Sequence, residues 1–288
     1  MKVSDIYKEK KQVLSFEIFP PKKDDYLGDI TETLDILSEC KPDFISVTFG
    51  AGGSSNRNKT IEIAKLIKSR YGIEPIVHLT CLCYDKDEIR EFVRVLQQEG
   101  LENILALRGD HNPNITEKDV FPHASDLIAY IREISGDYFC IAAACYPENH
   151  PESSGRLEEI RSLRAKYEAG ADLFLSQLFF DNDGFMAFEE DCRIADINVP
   201  VTPGIMPVTK ATQIKRMVEM CGATLPARFS RIIDRYADNE AGLFDAGMSY
   251  ALSQVIDLLA SGSDGIHLYT MNNPVIARRI SVGIKNIV

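Results

Sequence analysis

Glu17 is the side chain whose type and setting most invite chemistry. It stands near the end of Val13–Pro21, an apolar, β-rich run stopped by two prolines. A lone carboxylate in such a strand is costly to bury, so it faces a wet cavity, is held for chemistry, or pairs with a basic neighbour. A second group is Ala106-Leu107-Arg108-Gly109-Asp110. It puts a guanidinium, a backbone open to close approach and a carboxylate on one turn, a set able to clamp a planar heterocycle and a phosphate. Tyr146-Pro147-Glu148-Asn149-His150-Pro151 reads either as a rigid loop offering an aromatic ring for stacking or as an ordinary proline-stiffened turn. Gly50-Ala51-Gly52-Gly53-Ser54-Ser55 could cradle an anion ahead of a helix, but it has neither the lysine of a P-loop nor the spacing of a dinucleotide fold. His78, Cys81 and Cys83 are zinc-type ligands without a second pair, and strand alternation turns His78 and Cys81 to opposite faces. No metal is expected.

These residues need a frame that gathers them. Strand-like runs fall at 13–19, 43–48, 75–80, 103–107, 139–145, 173–179, 199–203 and 264–269, and helical patterns such as Asn56–Arg70, Asp85–Glu99 and Glu158–Ala169 lie between them. Most strands begin about 30 residues after the one before, the length of a βαβ unit, so the sheet should be parallel. Eight such units close most naturally into a TIM-type (β/α)8 barrel. The last interval, 203 to 264, also holds helical pattern at Thr209–Cys221, Pro226–Ala237 and Ala241–Ala260, giving extra helices between strands 7 and 8. No linker or repeat interrupts this, and residues 1–288 read as a single catalytic barrel domain. A barrel collects its chemistry at the C-terminal ends of its strands. Glu17, Thr48, His78 with Thr80, Arg108 with Asp110, Tyr146, Gln177, Pro203-Gly204, and Tyr269 with Asn272 all fall there.

A formal charge of −11 and a pI near 5.0 leave no basic excess for nucleic acid or an anionic membrane. Small molecules are the expected partners. No segment has the length of a membrane span, and Met1–Lys11 is charged and lacks an apolar signal core, so a cytoplasmic protein is expected. The seven cysteines lack disulfide-framework spacing and should be reduced.

Taken together, the motifs resemble those of the methylenetetrahydrofolate reductase family, in that family's order and over nearly the whole chain. They are Ser15-Phe16-Glu17-Ile18-Phe19-Pro20-Pro21, Ser46-Val47-Thr48-Phe49-Gly50-Ala51, His78-Leu79-Thr80-Cys81, Leu107-Arg108-Gly109-Asp110, Tyr146-Pro147-Glu148 with His150-Pro151-Glu152, Gln177-Leu178-Phe179-Phe180-Asp181, Pro203-Gly204-Ile205-Met206-Pro207 and His267-Leu268-Tyr269-Thr270-Met271-Asn272. The resemblance implies a flavoprotein barrel with non-covalent FAD. Such a barrel takes hydride from NADH or NADPH and reduces 5,10-methylenetetrahydrofolate to 5-methyltetrahydrofolate. It implies Glu17 as general acid and Asp110 beside the flavin and the pterin. It places Phe49, Ala51, His78, Arg108, Gly109, Asp110 and Ala124 around FAD, along with Tyr146, His150, Glu159, Ser162 and Lys166. Thr48, Gln177, Gln213, Met217, Tyr269 and Asn273 fall at the donor and folate positions. Glu159 and Ser162 stand where the family commonly has Asp and Asn, Ala165 where it often has a base, and Asn273 where many bacterial members have Arg. A homo-oligomer is implied, and a partner redox subunit is a further route for electrons. The chain ends at Val288, just after the helix following strand 8, so feedback control by S-adenosylmethionine is not expected.

Two readings from other classes stay open on the residues alone. A metal-dependent barrel lyase could use Glu17, His78 and Asp110 as ligands, and a non-catalytic subunit could keep the barrel while binding a partner enzyme. Flavin colour, stoichiometric metal, or flavin without turnover separates the three.

Overall fold

Alternation within the strands decides the architecture. In β1 (Val13–Ile18) every residue is buried. Leu14, Phe16 and Ile18 join the large apolar layer between strands and helices, whereas Val13 joins a separate cluster with Phe44, Ile76, Leu105, Cys140 and Leu173. Successive side chains point to opposite faces of a strand, so Val13, Ser15 and Glu17 line one face, the inside.

The computed structural model describes residues 1–21, 26–49, 54–111 and 116–288, the backbone alone at 26–27, 54–57, 215–216 and 219–220. The expected flavin contact Ala51, with the rest of Gly50–Gly53, lies outside the described residues. β1 is followed by β2 (Phe44–Val47), β3 (Glu74–Thr80), β4 (Asn103–Leu107), β5 (Cys140–Cys145), β6 (Leu173–Leu178), β7 (Val201–Ile205) and β8 (Gly265–Tyr269). All pair in parallel with their sequence neighbours, and β8 returns to β1, so the sheet closes as a (β/α)8 barrel. The helices α2 (Tyr26–Glu39), α3 (Ser54–Tyr71), α4 (Lys86–Gln98), α5 (Ala124–Ser135), α6 (Arg156–Glu168) and α7 (Asn182–Ile194) are the crossovers. After β7 come the extra helices α8 (Ala211–Cys221) and α9 (Ala227–Tyr236), then α10 (Glu240–Ser261); α11 (Pro274–Ile284) follows β8.

Two features differ from expectation. A short helix, α1 (Val3–Glu9), precedes the barrel and closes its N-terminal end by packing Val3, Ile6 and Tyr7 against the inner cluster. Its apolar stripe is three residues among charges, too short to stand out as a pattern. The seventh strand runs to Ile205 instead of stopping at 203, so Pro203-Gly204 lies within it. Gly204 is required there: a Cβ would lie 2.2 Å from the Ser176 carbonyl oxygen. Its N–H donates to Ser176 Oγ (2.8 Å) beside an irregularity in the β6–β7 register.

Candidate active site

The register brings Glu17 beside Ser46 on β2 and Tyr269 on β8, at the C-terminal end of the barrel interior. Only 9% of Glu17 is exposed. Its Oε2 lies 3.6 Å from His78 Nε2 and 3.8 Å from His267 Nε2. Among the described residues no lysine or arginine pairs with it, so the basic neighbour that a structural role calls for is replaced by two imidazoles. His78 is fully buried, and desolvation pushes its pKa down to about 4 against the upward pull of Glu17. It is neutral at neutral pH, and its Nε2 has no hydrogen-bond partner.

The β8 end holds this strand in place. Thr270 Oγ1 donates to the Glu17 carbonyl (2.7 Å). Asn272 brackets Phe19, accepting from its N–H and donating to its carbonyl, both at 2.8 Å. This uses left-handed backbone at Met271 and Asn272, with φ of 54° and 55°, a conformation that asparagine tolerates better than most residues.

A cleft opens at the ends of β4 and β5, between α5 and α6, and is lined by Arg108, Ala124, Tyr146, His150, Glu159, Ser162 and Lys166 among others. The fold thus gathers seven of the residues assigned to FAD by resemblance. Arg108 forks onto Glu152 (2.6 and 2.9 Å), and that guanidinium holds the Glu152 carboxyl at about 2. Lys166 donates to the Ala144 carbonyl (3.0 Å) and lies 5.9 Å from the centre of the Tyr146 ring; burial lowers its pKa. The Tyr146 ring meets His150 edge-on at 4.7 Å, and the His150 N–H donates to Glu159 (3.0 Å). Two cations and the N-terminus of α5 at His123-Ala124 face one cleft together with Glu152, Glu158 and Glu159; Glu158 and Glu159 are held by backbone N–H groups, so an anionic dinucleotide fits where it displaces Glu152 from Arg108. Asp110 is exposed after β4, while Gly109 has φ of 92° and presses on Thr80, where a Cβ would come within 3.2 Å.

Other expected residues have defined partners. The Thr48 N–H donates to the Ile18 carbonyl (3.0 Å), and Phe49 packs edge-on against Tyr84 and Phe92. Gln177 Oε1 accepts from the Leu178 N–H (2.8 Å), and Tyr269 OH donates to the Ser176 carbonyl (2.7 Å). Met217 packs in an apolar cluster with Phe229 and Tyr269. Gln213 and Asn273 act as helix caps: Gln213 accepts from the Thr209 and Lys210 N–H groups, and Asn273 accepts from the Val275 N–H.

Sequence reasoning missed the groups around His267. Its Nδ1 lies 2.8 Å from Ser15 Oγ and its Nε2 3.4 Å from Ser46 Oγ, and all three residues are fully buried. A signal was present. Strands covered on both faces read as nearly continuous apolar runs, so Ser15, Ser46 and His267, at inward positions of three adjacent strands, are exceptions that need a common reason.

The closed parallel barrel, with its titratable groups gathered at the strands' C-terminal ends, defines the class of (β/α)8 proteins built like barrel enzymes. The methylenetetrahydrofolate reductase family profile matches residues 2–284, and the chain belongs to that family. It is 36% identical over 259 residues to the 5,10-methylenetetrahydrofolate reductase of Escherichia coli, covering 90% of this chain and 86% of that one. It is also 36% identical over 285 residues to methylenetetrahydrofolate reductase (NADH) 1 of Arabidopsis thaliana, covering 94% of this chain but 48% of the relative. The chain therefore spans about half the length of the plant relatives it matches. A solved structure from Clostridium thermocellum, an uncharacterized protein that binds two copies of 5-methyl-5,6,7,8-tetrahydrofolic acid, superposes with a TM-score of 0.67 over 100% of this chain and 99% of that one. At 14% identity this shows a shared fold.

Proposed function

We propose that this chain reduces 5,10-methylenetetrahydrofolate to 5-methyltetrahydrofolate, with non-covalent FAD as cofactor and NADH or NADPH as electron donor. One observation carries the reading: among the described residues Glu17, at the C-terminal end of β1, has no lysine or arginine partner, and a cleft lined in part by Arg108 and Lys166 opens at the same end of the barrel. Family membership and the names of the bacterial and plant relatives support it. When bound, FAD supplies the relay of hydride from nicotinamide to folate.

The protein's part is to bind, orient and move one proton. Glu17 would protonate the departing nitrogen as the folate's five-membered ring opens to an iminium ion. Asp110 would stabilise that cation by its charge. Arg108 and Lys166 would hold the diphosphate, Arg108 by exchanging the exposed Glu152 carboxylate for phosphate oxygens. Tyr146, His150, Glu159, Ser162, His78, Phe49, Ala51, Gly109 and Ala124 would shape the rest of the flavin site. Thr48 and Gln177 would contact the donor, and Gln177, Gln213, Met217, Tyr269 and Asn273 the folate side. For Gln213 and Asn273 that contact competes with their capping bonds.

Residues 1–288 would act as one catalytic barrel, in the cytoplasm, as a homo-oligomer that takes electrons from a nicotinamide or from a partner redox subunit. Among the described residues no helix is long and apolar enough to cross a membrane. The test is purified protein: FAD released on denaturation, together with methylenetetrahydrofolate-dependent oxidation of NADH or NADPH, is expected. Stoichiometric metal without flavin, or flavin without folate turnover, would overturn the reading.

A further inference from the structure

Glu17 needs a fresh proton in every cycle of the reaction proposed above, yet it is nearly covered by protein. The side chains beneath it are arranged to hold one. When Ser15 Oγ places its one hydrogen on the Ile266 carbonyl (3.2 Å), it accepts from His267 Nδ1, 2.8 Å away. In that arrangement Nδ1 carries a hydrogen. In neutral His267 this leaves Nε2 as a bare lone pair, and Nε2 is the atom that faces Glu17 Oε2 at 3.8 Å. Ser46 Oγ, 3.4 Å from Nε2, suits either state of that nitrogen, since a hydroxyl donates to the lone pair and accepts from the imidazolium.

We propose that His267 is a positioning residue that stores the proton used by Glu17, with Ser15 locking Nδ1–H so that Nε2 alone exchanges a proton with Glu17 Oε2. In the exchange the Nε2–H bond of the imidazolium breaks and leaves its electron pair on nitrogen. An O–H bond forms on the Glu17 carboxylate, and the Ser46 hydroxyl turns from acceptor to donor. About an ångström of side-chain motion brings the two atoms to hydrogen-bond distance. After the product leaves, water supplies the next proton through the exposed edge of Glu17.

The other groups around the pair do not compete for this proton. His78, on β3, has its pKa pushed down to about 4 and stays neutral. Tyr269, on the same strand as His267, is held well above its ordinary pKa by burial and keeps its hydrogen on the Ser176 carbonyl. Phe44 stacks on the His267 ring at 5.9 Å and offers no polar atom. Past Ser15 the chain of bonds ends at a backbone carbonyl, so the arrangement is a store and not a through-wire.

The exchange can be tested without turnover, by NMR of the full chain labelled with 15N-histidine. His267 is expected to keep Nδ1–H throughout and to gain its Nε2 proton at a pH at least one unit higher in the wild type than in Glu17→Gln. A neutral Nε2–H tautomer, no Nε2 titration between pH 5 and 9, or a titration unchanged in Glu17→Gln would overturn the proposal. The kinetic consequence rests on the reductase reading. In Ser15→Ala the alkaline limb of the folate half-reaction should move about one pH unit lower, and its rate relative to the nicotinamide half-reaction should fall about tenfold, with Ser15→Thr restoring both. A ratio and limb that do not move in Ser15→Ala would overturn the catalytic use of the store. Coupled titration in a protein with no folate turnover sinks the reductase reading alone, and turnover with uncoupled titration sinks the store alone.

Discussion

The two ends of the barrel interior treat polar groups in opposite ways. At the N-terminal end the groups that meet α1 are matched. Asn103 accepts from the Val3 N–H (2.7 Å) and donates to the Met1 and Pro75 carbonyls (3.1 and 3.2 Å), and Tyr7 bonds to Thr202 (2.6 Å). The Met1 amine and Lys68 share Glu74 and Glu102. At the C-terminal end Glu17 faces two imidazoles and, among the described residues, no lysine or arginine, and His78 Nε2 has no partner. Satisfied buried groups support the fold. Unsatisfied ones, kept at a cost, mark where a ligand or a moving proton completes the set.

That contrast implies that substitutions at the first end change stability alone, whereas those at the second reach the chemistry as well. The largest stability effect is expected for Asn103→Ala, which orphans two carbonyls and an N–H: a loss of about 3 kcal/mol in urea unfolding, with activity per folded molecule unchanged. An unaltered midpoint would break the comparison at its stable end. Next is the acid response of His78. Its folded pKa of about 4 lies below the ordinary value of 6.5, so the unfolded chain binds the proton first. Stability is then full above pH 6.5 and is lost as pH falls toward 4, by about 3 kcal/mol at most. His78→Gln should flatten unfolding midpoints across that window, and an unchanged pH slope would show that the imidazole is not the cause.

Asn272→Ala removes the bracket on Phe19 and leaves alanine in left-handed backbone, for an expected loss of about 1–2 kcal/mol by the same measurement. Smallest is Glu152→Gln. It breaks a half-exposed pair and should shift stability by less than about 1 kcal/mol; a larger loss would make the Arg108–Glu152 pair part of the scaffold instead of an exchangeable contact at the cleft.

Most of this frame was legible before any coordinates. Eight β-rich runs at βαβ spacing specify a closed parallel barrel because strand length and crossover length leave few alternatives, and each expected strand start lies within two residues of the observed one. Glu17 was legible because a carboxylate is conspicuous in an apolar strand. Arg108 and Tyr146 were legible as polar groups at strand ends, Lys166 came from a family resemblance, and the fold brings all three to one cleft. What stayed hidden depends on pairing across the sheet. The Ser15–His267 contact is set by the β1–β8 register, between residues 252 apart in the chain. Likewise, Gln213 is marked as a capping residue only once the start of α8 is known, whereas Asn273 ahead of Pro274 is a local helix-start signal.

The central claim is that Glu17 is the acid for folate and has no part in reducing the flavin. Hydride transfer from nicotinamide needs aligned rings but no side-chain acid, whereas ring opening needs a proton on the departing nitrogen. Stopped-flow measurement of both half-reactions in Glu17→Gln tests this most directly. The expected result is a yellow, folded protein whose flavin is reduced by NADH or NADPH at close to the wild-type rate, and whose reduced form is oxidised by methylenetetrahydrofolate slower by about a hundredfold or more. Equal loss in both half-reactions would make Glu17 a structural or flavin-positioning residue, and no loss in either would place the acid elsewhere; both outcomes contradict the account.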